Sequence, residues 1–197
     1  MDGLSEEVDT VMKDYKIKDL MVSLSEYATV SEEATLYEAV VALENAQQNF
    51  RQDRYPHRAV LVYDKNKKIV GKLGQLDVLK ALEPKYFEMQ DRHGMSGLGF
   101  SKQFMKSIME KYRLLDGAME NICRKAGETK VGKIMVKPTE GEYVDGDASL
   151  NEAIHLLVLG QHQSLLVTDQ KGDLIGILRL TDIFSTVCRT MHSCGLA

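Results

Sequence analysis

Two aspartates at matching places in the sequence, Asp77 and Asp182, are the best-placed candidates for ligand chemistry, each set to open a helix, Val78–Leu82 or Ile183–Val187. A carboxylate in that position can accept hydrogen bonds from neighbouring hydroxyls, and the N–H groups of a helix N-terminus favour a phosphate. The same position suits a plain N-cap, which stabilises a helix by about 1 kcal/mol with no ligand at all. Arg179 has the planar fork that holds a phosphate bidentately; it is also suited simply to filling space or to reaching a surface carboxylate. Arg51, Arg54, His57 and Arg58 form a basic cluster that fits either a polyphosphate or a solvated helix end. No base or nucleophile accompanies the two aspartates, and HExxH, GxSxG and Gly-rich dinucleotide motifs are absent, so no catalytic residue and no enzyme activity are expected. Asp91–Gly99 is glycine-rich but lacks the lysine and spacing of a phosphate-binding loop. Cys188, His192 and Cys194 are soft ligands at close spacing, yet no fourth ligand is evident and no metal site is expected.

The bulk properties narrow the classes. A net charge of −4 and a pI near 5.8 give no basic footprint for nucleic acid. No apolar run approaches the roughly 20 residues needed to span a bilayer. The opening MDGLSEEVDTVMKDYK lacks the basic-then-apolar order of a signal peptide. Three cysteines without a CxxC pair fit a reducing compartment, and a cytoplasmic location is expected.

The elements that position the aspartates occur twice. Ile17–Leu43 repeats without a gap 114 positions later as Val131–Leu157, placing Leu20-Met21-Val22 on Ile134-Met135-Val136 and Glu38-Ala39 on Glu152-Ala153. Further on the offset is 105: Leu61–Asp64 meets Leu166–Asp169, Gly71 meets Gly176, and Asp77 meets Asp182. The first copy therefore carries nine extra residues around Asn45–His57. In each copy Thr35 or Ser149 caps a helix, with Glu38 or Glu152 at capping-box spacing. A short strand follows, Val60–Tyr63 or Leu165–Thr168, then a polar turn, Asp64–Lys68 or Asp169–Asp173. A second strand, Ile69–Leu73 or Leu174–Leu178, leads to the aspartate helix. The expected fold is α+β, two β-α-β-β-α units with a helical insertion between them. The expected boundaries are an N-terminal helix in 1–15, repeats over 16–84 and 129–191, the insertion over 85–128 and a tail over 192–197.

The pieces DLMV, ATLYEAV, VLVYD, IVGKL and LDVL, echoed by KIMV, ASLNEAI, LLVTD, LIGIL and TDIF, resemble the CBS domains named after cystathionine β-synthase. The resemblance covers roughly two-thirds of the chain. It implies a tandem pair packed about a pseudo-two-fold axis, with inter-repeat clefts that bind an adenosine nucleotide (AMP, ADP, ATP or a related adenosyl ligand) as a regulatory, energy-sensing ligand and not as a required cofactor. It implies that Asp77 and Asp182 hold ribose hydroxyls. By position, the adenine would be clamped by Val22 and Ser23 or Val136, Lys137 and Pro138, together with His57 and Arg58 or His162 and Gln163. The family commonly places Ser or Thr three residues before the aspartate; here Gly74 and Arg179 stand there, with Thr181 beside Asp182 as a partial substitute, so the second copy has the better nucleotide credentials. A ligand-free scaffold is the alternative.

In the insertion, Ser101 caps a helix on which Phe104, Met105, Ile108, Met109 and Tyr112 share a face, and Leu115, Met119, Ile122 and Cys123 continue the stripe. Such a Met-rich stripe points to packing on the module or to homodimer assembly, through the 100–123 insertion or the CBS faces, with the regulated partner protein unidentified.

Overall fold

Local side-chain chemistry builds the same elements in both copies. Thr35 Oγ1 accepts the Glu38 N–H at 3.2 Å while the Glu38 carboxylate takes the Thr35 N–H at 2.6 Å, closing the capping box that starts helix Leu36–Asn49. Ser149 caps Leu150–Gly160 by accepting the Glu152 N–H. The hairpin turns are held alike: Asp64 Oδ1 accepts the N–H groups of Asn66 and Lys68, and Asp169 Oδ1 those of Lys171 and Asp173, all at 2.9 Å.

The structure, a computed structural model, describes residues 15–50, 54–83, 85–86, 101–113 and 121–193. The expected Leu4–Tyr15 helix (apart from Tyr15), the glycine-rich 91–99 stretch, Arg51, Leu115, Met119 and Cys194 lie outside the described residues. In chain order the described elements are α1 (Ile17–Leu20), β1 (Val22–Ser23), β2 (Thr29–Ser31), α2 (Leu36–Asn49), β3 (Ala59–Tyr63), β4 (Ile69–Gly74) and α3 (Gln75–Leu82). Then come α4 (Lys102–Lys111), α5 (Ile122–Glu128), α6 (Val131–Ile134), β5 (Tyr143–Asp145), α7 (Leu150–Gly160), β6 (Ser164–Thr168), β7 (Leu174–Arg179) and α8 (Leu180–Ser193).

Three details differ from the sequence reading. The residues before Met21 and Met135 form single helical turns: the Met21 N–H reaches the Ile17 carbonyl at 3.0 Å and the Met135 N–H that of Val131 at 2.9 Å. The first strand of each β-α-β-β-α unit follows that turn, as β2 or β5, and pairs in parallel with β3 or β6. Finally, the aspartates are not N-caps. Helix α3 begins at Gln75 and α8 at Leu180, so Asp77 and Asp182 are third helical residues whose side chains point back to positions 74 and 179.

The chain forms two compact units, and neither is one sequence repeat. Unit one joins 1–28, 45–57 and 138–197; unit two joins 29–44 and 58–137. Unit one has a four-stranded sheet, β1-β7-β6-β5, in which β1 of the first copy adds antiparallel to β7 of the second, Val22 opposite Ile177. Its core holds Ile17, Val144, Leu150, Leu157, Leu165, Val167, Leu178 and Ile183. Unit two has the sheet β2-β3-β4, and Val136 of the second copy bridges Lys72 in β4 through both backbone hydrogen bonds, at 2.8 and 2.9 Å. Each copy thus lends its post-methionine segment to the sheet of the other. Glycine makes the joint possible: a Cβ on Gly176 would lie 2.7 Å from Met21 Sδ, and one on Gly71 would lie 2.5 Å from Met135 Sδ.

In the insertion, Ser101 caps α4 by accepting the Phe104 N–H, and Ile108 is buried against Met109 and Tyr112 as the stripe requires. Phe104, Met105 and Cys123 are exposed, so the stripe is narrower than its sequence implies.

Candidate functional site

In unit one the end of β7 delivers Arg179 and the first turn of α8 delivers Asp182. Three residues apart across this strand–helix junction, their side chains meet as a bidentate pair. Arg179 Nε donates to Asp182 Oδ2 at 2.6 Å and Nη2 donates to Oδ1 at 2.7 Å. Both side chains are under a tenth exposed. The remaining donors of Arg179 are also engaged: Nη1 donates to the Tyr55 carbonyl at 2.7 Å and lies 3.4 Å from His57 Nδ1. Arg54 Nη2 sits 3.1 Å from Asp182 Oδ1 and donates to the Leu20 carbonyl at 2.7 Å. The Phe50 ring lies near both guanidinium groups, 5.2 Å from that of Arg179 and 5.9 Å from that of Arg54.

His57 closes this cluster. It is fully buried, edge-on to Tyr27 at 4.5 Å and tilted against Phe50 at 4.1 Å. Its main-chain carbonyl accepts from Gln47 Nε2 at 2.6 Å. Burial, then the positive charges of Arg179 and Arg54, push its pKa down to about 4 against the opposing pull of the Glu26 main-chain carbonyl and Asp182. Burial likewise pushes the Tyr27 hydroxyl up to about 12.

In unit two the corresponding residue is Gly74, which has no side chain to offer. Asp77 Oδ2 therefore turns back to accept the Gly74 N–H at 3.0 Å. Asp77 Oδ1 faces Lys80 at 4.0 Å, beyond hydrogen-bond range, and the side chain is about a fifth exposed. Unit two also holds Arg58, whose carbonyl accepts the Gln75 N–H at 3.1 Å, and the exposed residues Val136 and Lys137.

The sequence-derived site residues therefore divide. Unit one gathers Asp182, Thr181, Arg179, Val22, Ser23, His57, Pro138, His162 and Gln163; unit two gathers Asp77, Arg58, Val136 and Lys137. Val22 is a fully buried residue of the sheet itself, in β1 opposite Ile177. Among the described residues of the basic cluster, only Arg58 is exposed. Arg54 turns inward onto Asp182, His57 is buried and neutral near pH 7, and Arg58 is exposed on unit two. Phe50, Tyr27 and Tyr55 complete the unit-one cluster without having been singled out by sequence; for Phe50 and Tyr55 the signal available was their position in the stretch that holds the nine-residue extension. Among the described residues, no group of three or more His, Cys, Asp or Glu side chains could hold a metal ion, and no helix is long and apolar enough to cross a membrane.

No curated protein matches the sequence. Solved structures do share the fold. A CBS domain-containing protein of unknown function from Bacillus anthracis str. Ames Ancestor is 18% identical with a TM-score of 0.59, covering 92% of this chain and 98% of its own. CBSX2 in complex with AMP is 20% identical with a TM-score of 0.55, covering 89% and 97%, and the CBS-pair protein CBSX2 from Arabidopsis thaliana is 18% identical with a TM-score of 0.57. The CBS domain of a bacterial CNNM/CorC family Mg2+ transporter in complex with ATP is 14% identical with a TM-score of 0.58, covering 93% and 94%. In the sequence itself the CBS domain matches residues 17–84 and 131–189, well over half of the chain. With the duplicated elements and paired sheets already described, this places the chain in the CBS-domain family as a tandem CBS-pair protein.

Proposed function

We propose that this chain is a regulatory, non-catalytic CBS-pair module that binds an adenosine nucleotide through unit two and passes its occupancy to a partner protein. The observation that carries this reading is Asp77. Its carboxylate is anchored by one oxygen on the Gly74 N–H, while the other makes no hydrogen bond among the described residues and is left to accept from a ribose hydroxyl. Lys137 and Arg58, both exposed in the same unit, supply positive charge for a phosphate. The AMP and ATP complexes of the similar structures support the ligand class. Titration calorimetry with AMP, ADP and ATP tests the reading: the wild type binds at least one of them, and Asp77→Ala loses that binding while keeping its melting temperature within a few degrees. Absence of binding by the wild type at millimolar nucleotide, or unchanged binding by Asp77→Ala, refutes it.

A scaffold reading has an observation of its own in unit one, where the equivalent carboxylate is already committed to two arginines. Exposed apolar side chains support self-association as the assembly route: Leu180, Phe184 and Met191 on α8, and Leu76 and Leu79 on α3.

A further inference from the structure

The nine residues that the first copy has and the second lacks fall within the segment that unit one borrows from that copy. In this segment Phe50, Arg54, Tyr55 and His57 all contact the Arg179–Asp182 pair or its immediate neighbours. We propose that residues Phe50 and Arg54–His57 are an intramolecular latch. Arg54 occupies the unit-one carboxylate, and Asp182 becomes a ligand-binding group only when Arg54 leaves it.

Three features support a latch over a permanent plug. First, the groups a ribosyl phosphate would use are held by the chain's own atoms in the same chemical roles. Guanidinium donors take the carboxylate in place of hydroxyl donors, and the Tyr55 carbonyl takes Arg179 Nη1 in place of a phosphate oxygen. Second, the two guanidinium contacts are unequal. Arg179 binds Asp182 through two short hydrogen bonds and is almost wholly buried. Arg54 approaches through one nitrogen at 3.1 Å with its side chain 24% exposed, and it hands that same nitrogen to the Leu20 carbonyl. Third, two guanidinium groups face one carboxylate, leaving one positive charge in excess that a neutral His57 does not alter. A ligand carrying both a vicinal diol and a phosphate satisfies both halves of the exchange: the diol replaces Arg54 at Asp182, and the phosphate takes up the released Arg54. A phosphorylated nucleoside is the matching chemical class.

The experiment uses the full chain and AMP, and its choice of ligand and of the Asp77 background rests on the reading of unit two above. In the Asp77→Ala background the latch keeps unit one closed and calorimetry shows no AMP binding. Adding Arg54→Ala restores one site per chain, with at least a tenfold preference for AMP over 2′,3′-dideoxy-AMP. A double variant that binds no AMP, or binds both ligands equally, overturns the latch. Thermal melts accompany each titration. Should Arg54→Ala melt below the assay temperature, Arg54→Gln keeps a donor for the Leu20 carbonyl without the charge and carries the same test. If Asp77→Ala by itself still binds AMP, the unit-two reading fails; the latch is then judged by whether Arg54→Ala adds a further diol-selective site to that protein.

Discussion

Asp77 and Asp182 occupy the same place in a duplicated sequence and the same third position of a helix, yet their surroundings differ in kind. With Gly74 three residues before it, Asp77 has a main-chain N–H to turn to and keeps its other oxygen without a hydrogen bond among the described residues, 4.0 Å from Lys80. With Arg179 three residues before it, Asp182 is gripped at both oxygens, buried, and joined by Arg54. The repeat determines where a carboxylate stands; the residue at the preceding cap determines what that carboxylate is free to do. The copy whose sequence looks more nucleotide-competent, with Thr181 and Arg179 near its aspartate, is the one whose carboxylate the fold has already paired.

The comparison breaks most visibly on removing the carboxylates. Asp182→Ala leaves Arg179 buried and unpaired, and loss of one partner of a buried pair costs about 3–5 kcal/mol. Asp77→Ala removes one partly exposed hydrogen bond in the first helical turn, a loss of about 1 kcal/mol. Urea denaturation should therefore separate the two variants clearly. Arg179→Met together with Asp182→Leu should recover much of the loss, since an apolar pair of similar volume carries no stranded charge. Equal midpoints for Asp77→Ala and Asp182→Ala would show that the two sites are energetically alike after all.

The buried histidine sharpens the contrast through pH. His57 has a folded pKa of about 4 and faces Arg179, Arg54, Asp182 and Tyr27, whereas the unfolded chain titrates near the ordinary 6.5. Between those values the unfolded state binds more protons, so stability is fully present above about pH 6.5 and falls as pH drops toward 4. The loss amounts to at most roughly 3 kcal/mol. His57→Gln cannot take up that proton, and its melting temperature should vary less between pH 6.5 and 4.5 than that of the wild type. An unchanged pH slope in His57→Gln would place the acid sensitivity elsewhere.

What could be read from the sequence follows the range of the interactions involved. The Thr35–Glu38 and Ser149–Glu152 caps and the Asp64 and Asp169 turns were legible because donor and acceptor lie within four residues of each other. The exchange of β1 and Val136 between copies was not, because pairing Val22 with Ile177 spans most of the chain and both copies offer an equivalent sheet edge. The aspartates stand where the repeat locates them along the chain, but their helices start at Gln75 and Leu180, three residues before the expected Val78 and Ile183, because a helix start depends on backbone angles that the apolar pattern does not reveal. For Arg54 the sequence leaves a polyphosphate contact and a solvated helix end both open. Only its three-dimensional neighbours, the Leu20 carbonyl and Asp182, both far away in sequence, turn it inward.

The smallest difference between the units concerns the glycines that admit the exchanged segments. At Gly176 an added Cβ would meet the Val22 carbonyl oxygen at 2.5 Å as well as Met21 Sδ at 2.7 Å. The carbonyl belongs to the strand paired there, and it cannot move without separating β1 from β7. At Gly71 the three atoms nearest the added Cβ all belong to the Met135 side chain, at 2.5 Å for Sδ, 2.9 Å for Cγ and 3.2 Å for Cβ, and a thioether arm can rotate away. Overpacking of this kind costs about 1–3 kcal/mol, so Gly176→Ala belongs at the upper end of that range and Gly71→Ala at the lower. Hydrogen exchange distinguishes strain in the strand from general loss of stability: Gly176→Ala should speed exchange at the Val22 and Ile177 amides beyond the change at the β6 amides, while Gly71→Ala should leave the Lys72 and Val136 amides protected. If Gly71→Ala instead released its bridge as readily as Gly176→Ala released β1, the two joints would be equally rigid, and the adaptable methionine would not be what separates them.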